Sequence, residues 1–259
     1  MKIIIPPAKK MNTDTDTFPP RGLPPLLDDT TILMEWLRCL TLDEAQSLWQ
    51  CNEKIAQLNY QRLQEMDLRR NLTPALISYE GIQYQYMAPE VFTRKEWNYV
   101  QEHLRILSGF YGVLKPLDGV VPYRLEMQAK VKVNGTKNLY EFWDSKLYEE
   151  IHIPGQVILN LASKEYSKCI EKYLHPKDTF ITCIFGEWKN NKVIQKGTMA
   201  KMARGEMVRF MASKGIVNVE DIREFEGLGY HFEEALSDGE NYIFLPKKGE
   251  PENEQIQRT

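Results

Sequence analysis

The 259-residue chain lacks any long apolar run. Its opening Ile3–Ile5 is bounded by Lys2 and Pro6, and no later segment approaches the roughly 18 apolar residues of a membrane span. Neither a secretory leader nor a membrane anchor is therefore expected. Cysteine is scarce, and Cys39, Cys51, Cys169 and Cys183 form no CxxC pair, which argues against a disulfide framework. Free, mostly packed thiols in a reducing cytoplasm are the expectation. The four histidines (His103, His152, His175 and His231) make no HExxH or HxH pair. No P-loop and no GxSxG elbow exists, and Gly227-Leu228-Gly229 lacks the rest of a GxGxxG fingerprint. With no catalytic motif, a non-enzymatic binding protein is expected ahead of an enzyme, with no cofactor and no metal site. Excess charge is missing too: the net of −3 argues against a protein that coats nucleic acid with its whole surface. What is present, 42% hydrophobic and 11% aromatic residues, is a globular composition able to bury a substantial core.

Lys2–Ile5 reads as a short buried strand. From Pro6 to Pro25, six prolines with alternating Thr and Asp predict an extended loop. Helix is predicted over roughly Leu26–Asp67, where Thr41-Leu42-Asp43-Glu44 is a capping box. A second box, Thr93-Arg94-Lys95-Glu96, opens a helix carrying Trp97, Val100, Leu104 and Leu107 on one face and stopped by Gly109 and Gly112. Beyond it, Arg124–Val133 reads as strand, Leu139–Glu150 as helix, Val157–Leu161 as buried strand and Ser163–Tyr173 as helix with Ser163 as N-cap. Thr179–Lys196 reads as a β-hairpin turning at Asn190-Asn191, Thr198–Lys214 as helix and Ile243–Leu245 as a last strand. Interleaved elements without a linker predict an α+β (mixed α/β) fold. It would be a single domain over 1–259, with a mixed sheet flanked by helices and a flexible tail at 246–259.

The small net charge hides an asymmetry. Residues 189–214 carry seven bases against Glu206 alone, a net of +6, whereas 220–240 carry eight acids against Arg223, a net of −7. Screening over about 8 Å keeps a distant acidic segment from cancelling a local positive field. At about 100° per residue, the helix over 198–214 places Met199, Ala203, Met207, Phe210 and Met211 on one face. Lys201, Arg204 and Arg209 fall opposite, with Gly205 among them leaving room for a phosphate near the backbone. The segment His103–Asp118 holds two glycines separated by two aromatics, approximating a helix-hairpin-helix turn whose amides would meet a DNA phosphate. Ser163, directly after a buried strand, sits where α/β folds bind anions.

Several blocks together carry a family resemblance: Pro7-Ala8-Lys9, His103–Asp118, Pro122–Met127, Leu139-Tyr140-Glu141-Phe142-Trp143, Asn160-Leu161-Ala162-Ser163 with Glu165-Tyr166, and Lys201 with Ala203-Arg204-Gly205. In this order they resemble the YaaA family of bacterial peroxide-stress proteins over essentially the whole chain. That resemblance implies a monodomain "cantaloupe" fold with a basic cleft and a helix-hairpin-helix element. It also implies binding to duplex or branched DNA and a role in limiting free iron and DNA damage. Pro6, Lys10, Gln128, Lys164 and Met202 depart from the family's usual residues, so the Lys201–Gly205 block has one cation fewer.

The resulting expectation is a cytoplasmic protein that binds DNA with little sequence preference. Lys9, Arg105, Lys115, Arg124, Lys201, Arg204 and Arg209 would hold phosphates, and the Gly109–Gly112 turn would offer amides. The competing class is an enzyme acting on a nucleotide, a nucleobase or another small anion in the same cleft. Lys9, Tyr123, Arg124, Glu126, Asn160, Ser163 and Tyr166 would gather there, with Glu126, Ser163 and Tyr166 as catalytic candidates. Direct iron sequestration is not expected, because the acidic 220–240 stretch lacks regular ligand spacing.

Overall fold

A computed structural model describes residues 1–247 of the chain. The strands are β1 (Lys2–Ile5), β2 (Leu104–Ser108), β3 (Gly112–Leu114), β4 (Val157–Asn160), β5 (Thr179–Phe185), β6 (Glu187–Lys189), β7 (Lys192–Ile194), β8 (Tyr230–Phe232) and β9 (Asn241–Pro246). The helices are α1 (Leu27–Arg38), α2 (Leu42–Trp49), α3 (Glu53–Glu65), α4 (Ile82–Met87), α5 (Arg94–His103), α6 (Leu139–Trp143), α7 (Lys146–Ile151), α8 (Lys164–Glu171) and α9 (Gly197–Lys214). Short two-residue pairings and 3-10 turns complete the chain. Seven strands form one mixed sheet in the order β8-β9-β5-β4-β1-β2-β3, with β9, β5, β4, β1 and β2 parallel and the two edges antiparallel. The central strands are fully apolar in the middle because helices cover both faces of a parallel sheet: Ile3, Ile4 and Ile5 are 0% exposed.

Both capping boxes form, at Thr41–Glu44 and Thr93–Glu96, with each hydroxyl accepting from the third helical amide. The loop after β1 is extended as expected, held by the two-residue pairing of Lys10–Met11 with Tyr79–Glu80 and by a bridge from Gly22 to Asp118. Four expectations are corrected. First, the helix opened by Thr93 ends at His103; Leu104 and Leu107 belong to β2, and the helix-hairpin-helix-like segment is a β-hairpin. Its apolar run packs between strands, which overrides the helical spacing. Second, Arg124–Val133 pairs with no strand among the described residues, although Leu125, Met127, Ala129, Val131 and Val133 alternate inward as a strand would. Third, only β6 and β7 form the hairpin at Asn190–Asn191, while β5 runs inside the central sheet. Both turn residues have positive φ (53° and 57°), the geometry asparagine tolerates best after glycine. Fourth, Gly205 is buried and faces α4: a Cβ there would lie 2.2 Å from the Gln83 carbonyl oxygen, so the glycine serves helix packing. Of the expected 246–259 tail, Pro246 closes β9 and Lys247 donates to the Gly229 carbonyl; 248–259 lie outside the described residues.

The turn between β2 and β3 is a packing device. Gly109 is buried, and a Cβ there would lie 2.7 Å from the Leu125 carbonyl oxygen and 3.0 Å from the Met127 nitrogen. Those are backbone atoms, so the clash cannot be relieved by turning a side chain. Gly109→Ala should therefore destabilise the protein by about 1–3 kcal/mol. Gly197→Ala, where nothing lies within 4 Å and the backbone is helical, should be neutral or stabilise by about 0.4–1 kcal/mol. Thermal melts of the two variants compare them directly; equal midpoints would remove the constraint at Gly109.

Candidate functional site

β1 and β4 are neighbours, but the chain leaves β1 toward β2 on one side and leaves β4 toward β5 on the other. Strand order reverses between them, and ligands of open α/β sheets bind outside the carboxyl ends at such a reversal. A cavity of about 410 Å³ opens there. Pro6–Lys10 reach it from the end of β1, Ser163, Glu165 and Tyr166 from the start of α8, and Gln83 and Tyr84 from α4. Tyr123–Glu126 arrive along the extended segment, and Lys201 and Arg204 from α9.

Each side chain is placed by an identifiable contact. The Tyr84 hydroxyl donates to the Pro6 carbonyl at 2.9 Å and fixes the loop after β1. Ser108 Oγ accepts from the amides of Phe110 and Tyr111 and lies 2.7 Å from Tyr123 Oη, which lies 2.8 Å from Tyr79 Oη. That buried chain, together with the bare Gly109, holds the 123–127 segment so that Arg124 and Glu126 face the cavity. Ser163 stands at the N-cap of α8 with its hydroxyl making no capping bond, leaving the first amides of the helix to a ligand or water.

The electrostatics are unevenly settled. Glu126 pairs with Lys9 at 2.8 Å and with Arg124 at 3.4 Å. Lys10 is paired with Glu80. Lys201 is exposed and makes no ion pair or hydrogen bond among the described residues, and Arg204 reaches only Gln195 Oε1, at 3.3 Å. Among the described residues, the Nε atoms of Arg124 and Arg204 are buried without a partner, and so are both polar atoms of the Gln83 amide. Desolvation lowers the Arg204 pKa from its ordinary value. Lys9, Arg124, Lys201 and Arg204 against Glu126 and Glu165 leave the cavity with an excess of two positive charges. Glu165 is half-buried, and its pKa is raised first by burial and then by the Glu126 carboxylate, with Lys9 and the Gln128 amide acting against them. A carboxylate paired with two cations beside another drawn toward its protonated form is an arrangement suited to general acid–base work.

Of the anion-binding residues expected from the sequence, Lys9, Arg124, Lys201 and Arg204 meet in the cavity, as do the catalytic candidates Glu126, Ser163 and Tyr166. Asn160 faces an adjoining cavity of about 820 Å³, which Arg204 also lines. The others lie elsewhere. Arg105 is 6% exposed near the amino end of β2, donating to the carbonyls of Leu104 and Gln101. Lys115 follows β3 at that same opposite edge of the sheet, where Ile106 pairs with Leu114. Arg209 is exposed beside Glu96, and the amides of Gly109 and Gly112 are buried. Sequence reasoning missed Gln83 and Glu165. Glu165 carried a signal, one residue into a helix that starts an anion site; Gln83 carried only its place after Gly81 in a glutamine–tyrosine run.

A family model described as peroxide stress protein YaaA matches residues 1–236. A UPF0246 protein of Agathobacter rectalis is 56% identical over 247 residues, covering 95% of this chain and 99% of that protein. A UPF0246 protein of Lachnoclostridium phytofermentans is 52% identical over 250 residues, 96% of this chain and 97% of its own. One of Pediococcus pentosaceus is 51% identical over 245 residues, 95% and 98% respectively.

Neutralising Glu126 removes one cause of the Glu165 shift and frees Lys9 to act on it. Glu126→Gln should therefore lower the Glu165 pKa, as followed by carboxyl-carbon NMR. The linkage has a definite sign. A carboxyl raised in the folded state contributes stability below its unfolded value of about 4.3 and loses it as pH rises through the folded value. The variant should show less of that loss, and an unmoved Glu165 titration would uncouple the two groups.

Proposed function

The chain belongs to the YaaA family of peroxide stress proteins, and we propose that its part in that response is to bind DNA in the cytoplasm through the cleft at the carboxyl edge of the sheet. Contacts there would shield DNA from iron-dependent oxidative damage. The observation that carries this reading is the convergence of Lys9, Arg124, Lys201 and Arg204, from three separate stretches of chain, around one cavity with surplus positive charge. Phosphate contacts from such cations position a duplex without reading its sequence. The β6–β7 hairpin supports the same reading. It leaves the carboxyl end of β5, on the cleft side of the sheet, with Trp188 47% exposed and Lys189 opposite Lys192 at its tip. An exposed aromatic next to a pair of cations is a surface on which bases stack and phosphates settle.

A second reading is favoured by one observation, the raised Glu165 beside the Lys9-paired Glu126. It assigns acid–base chemistry to the cleft on an anion held by the same cations. Reaction of peroxide at the buried thiols has less support, because burial pushes Cys169 up to about 12 and raises Cys183 further, and neither lines the cleft.

If about five phosphates are neutralised, log K should fall against log salt with a slope near −4 to −5. Replacing Lys192 and Lys201 by Gln should flatten that slope by about 2 and leave the melting midpoint unchanged, since both side chains are exposed. Fluorescence anisotropy with a labelled duplex reads both numbers. An unaltered slope would remove these lysines from the interface.

A further inference from the structure

The cavity of about 410 Å³ is matched to a small ligand and not to a double helix. Ligand pockets run from about 300 Å³ upward, whereas a duplex has a major groove alone about 12 Å wide. A duplex would therefore lie across the mouth, and whatever enters must be a single unit. Three surfaces inside describe that unit.

The first is apolar and aromatic: Pro6, Ile82, Tyr84, Leu125 and Tyr166 line it. The second is the Gln83 carboxamide. This residue is 4% exposed, and its Nε2 and Oε1 both lack a partner among the described residues. Buried amides are normally satisfied, so a donor and an acceptor left open side by side mark a missing partner. A nucleobase edge presents a matching acceptor and donor side by side. The third is cationic. Among the described residues Lys201 is unpaired, Arg204 has a buried open Nε, and α8 begins beside them with a Ser163 hydroxyl that makes no capping bond. That combination of helix start and guanidinium receives phosphate.

We propose that this cavity holds one nucleoside monophosphate unit, its base edge against the Gln83 carboxamide and its phosphate between Lys201, Arg204 and the first turn of α8. The assignment rests on the phosphate-binding reading of the same cleft and specifies what enters it. The unit has two sources, a free nucleotide or a nucleotide swung out of a DNA strand lying across the mouth, as enzymes that act on bases require. Arg204 also lines the adjoining cavity with Asn160, Thr182 and Asn241, leaving a polar path for the chain beyond the phosphate.

Calorimetric titration of the whole protein with dAMP, dGMP, dCMP and dTMP tests the first source. At least one should bind saturably, and its nucleoside at least tenfold more weakly. A duplex carrying 2-aminopurine opposite an abasic site tests the second, through the rise in fluorescence when that base leaves the stack and a reading of total binding by anisotropy. Gln83→Leu removes an unsatisfied buried amide, so it should melt at or above the wild-type temperature while losing at least tenfold in nucleotide affinity or most of the 2-aminopurine signal. Lys201→Gln should narrow the gap between nucleotide and nucleoside. A signal from either source supports the assignment and identifies that source. Duplex binding with neither signal would overturn it and leave the DNA reading standing. Absence of duplex and nucleotide binding together would overturn both, and full nucleotide affinity in a folded Gln83→Leu protein would remove the base-edge assignment.

Discussion

Where the β2–β3 turn meets the extended segment 123–127, backbone lies on backbone with no room for a side chain between them. The orientation of Arg124 and Glu126 follows from that contact. Gly109 supplies the space, Trp143 Nε1 donates to its carbonyl at 3.1 Å, and Ser108 gathers the turn amides while bonding to Tyr123. The segment needs this support because it has no ladder among the described residues: its alternate side chains are buried, yet no strand there accepts its backbone. Once Glu126 is aimed into the cavity, Lys9 is drawn to it from the loop after β1, and Glu165 on α8 feels its charge. Three separate parts of the chain are thus coordinated by one carboxylate whose position depends on a glycine far from it in sequence.

Much of the scaffold was legible in the sequence, because local physics decides it. Capping boxes at Thr41 and Thr93, the asparagine turn at 190–191 and the buried strands at Lys2–Ile5 and Val157–Leu161 depend on residues a few positions apart. The candidate site was partly legible for the same reason: Lys9, Ser163 and the 201–204 cations sit at strand ends or on a helix face that sequence can place. Segments whose state depends on distant partners were not legible. Leu104 and Leu107 have helical spacing to Trp97 and Val100, but β1 accepts Leu104–Ile106 as a strand, and parallel pairing outweighs periodicity there. The period-2 pattern at 124–133 is real and still gives no strand, because alternation reports which side chains are buried and not whether the backbone has a neighbour.

The same distinction separates the cations. Arg105 and Lys115 flank the glycine turn in sequence, and a linear reading groups them with it. In the sheet, however, a hairpin returns the chain to the edge where it started, so both lie at the amino end of β2, opposite the cleft. Arg105 is satisfied by carbonyls and buried, and Arg209 lies near the acidic start of α5. None of the three lines the cavity. Lys201 and Arg204 do, and no carboxylate comes within ion-pair distance of either among the described residues.

Open polar groups in a folded protein carry a cost that packing could have removed. A leucine at position 83 would fill the same wall without leaving an amide unmatched, and a neutral residue at 204 would avoid placing a desolvated guanidinium near the Cys183 thiol. Each unsatisfied buried group costs about 1–3 kcal/mol, a large share of the net stability of an ordinary domain. Of the eight such atoms among the described residues, four belong to Gln83, Arg124 and Arg204 around a single cavity at a strand-order reversal. Half of that cost gathered around one opening is the pattern of a surface shaped to complete its bonds with something outside the chain.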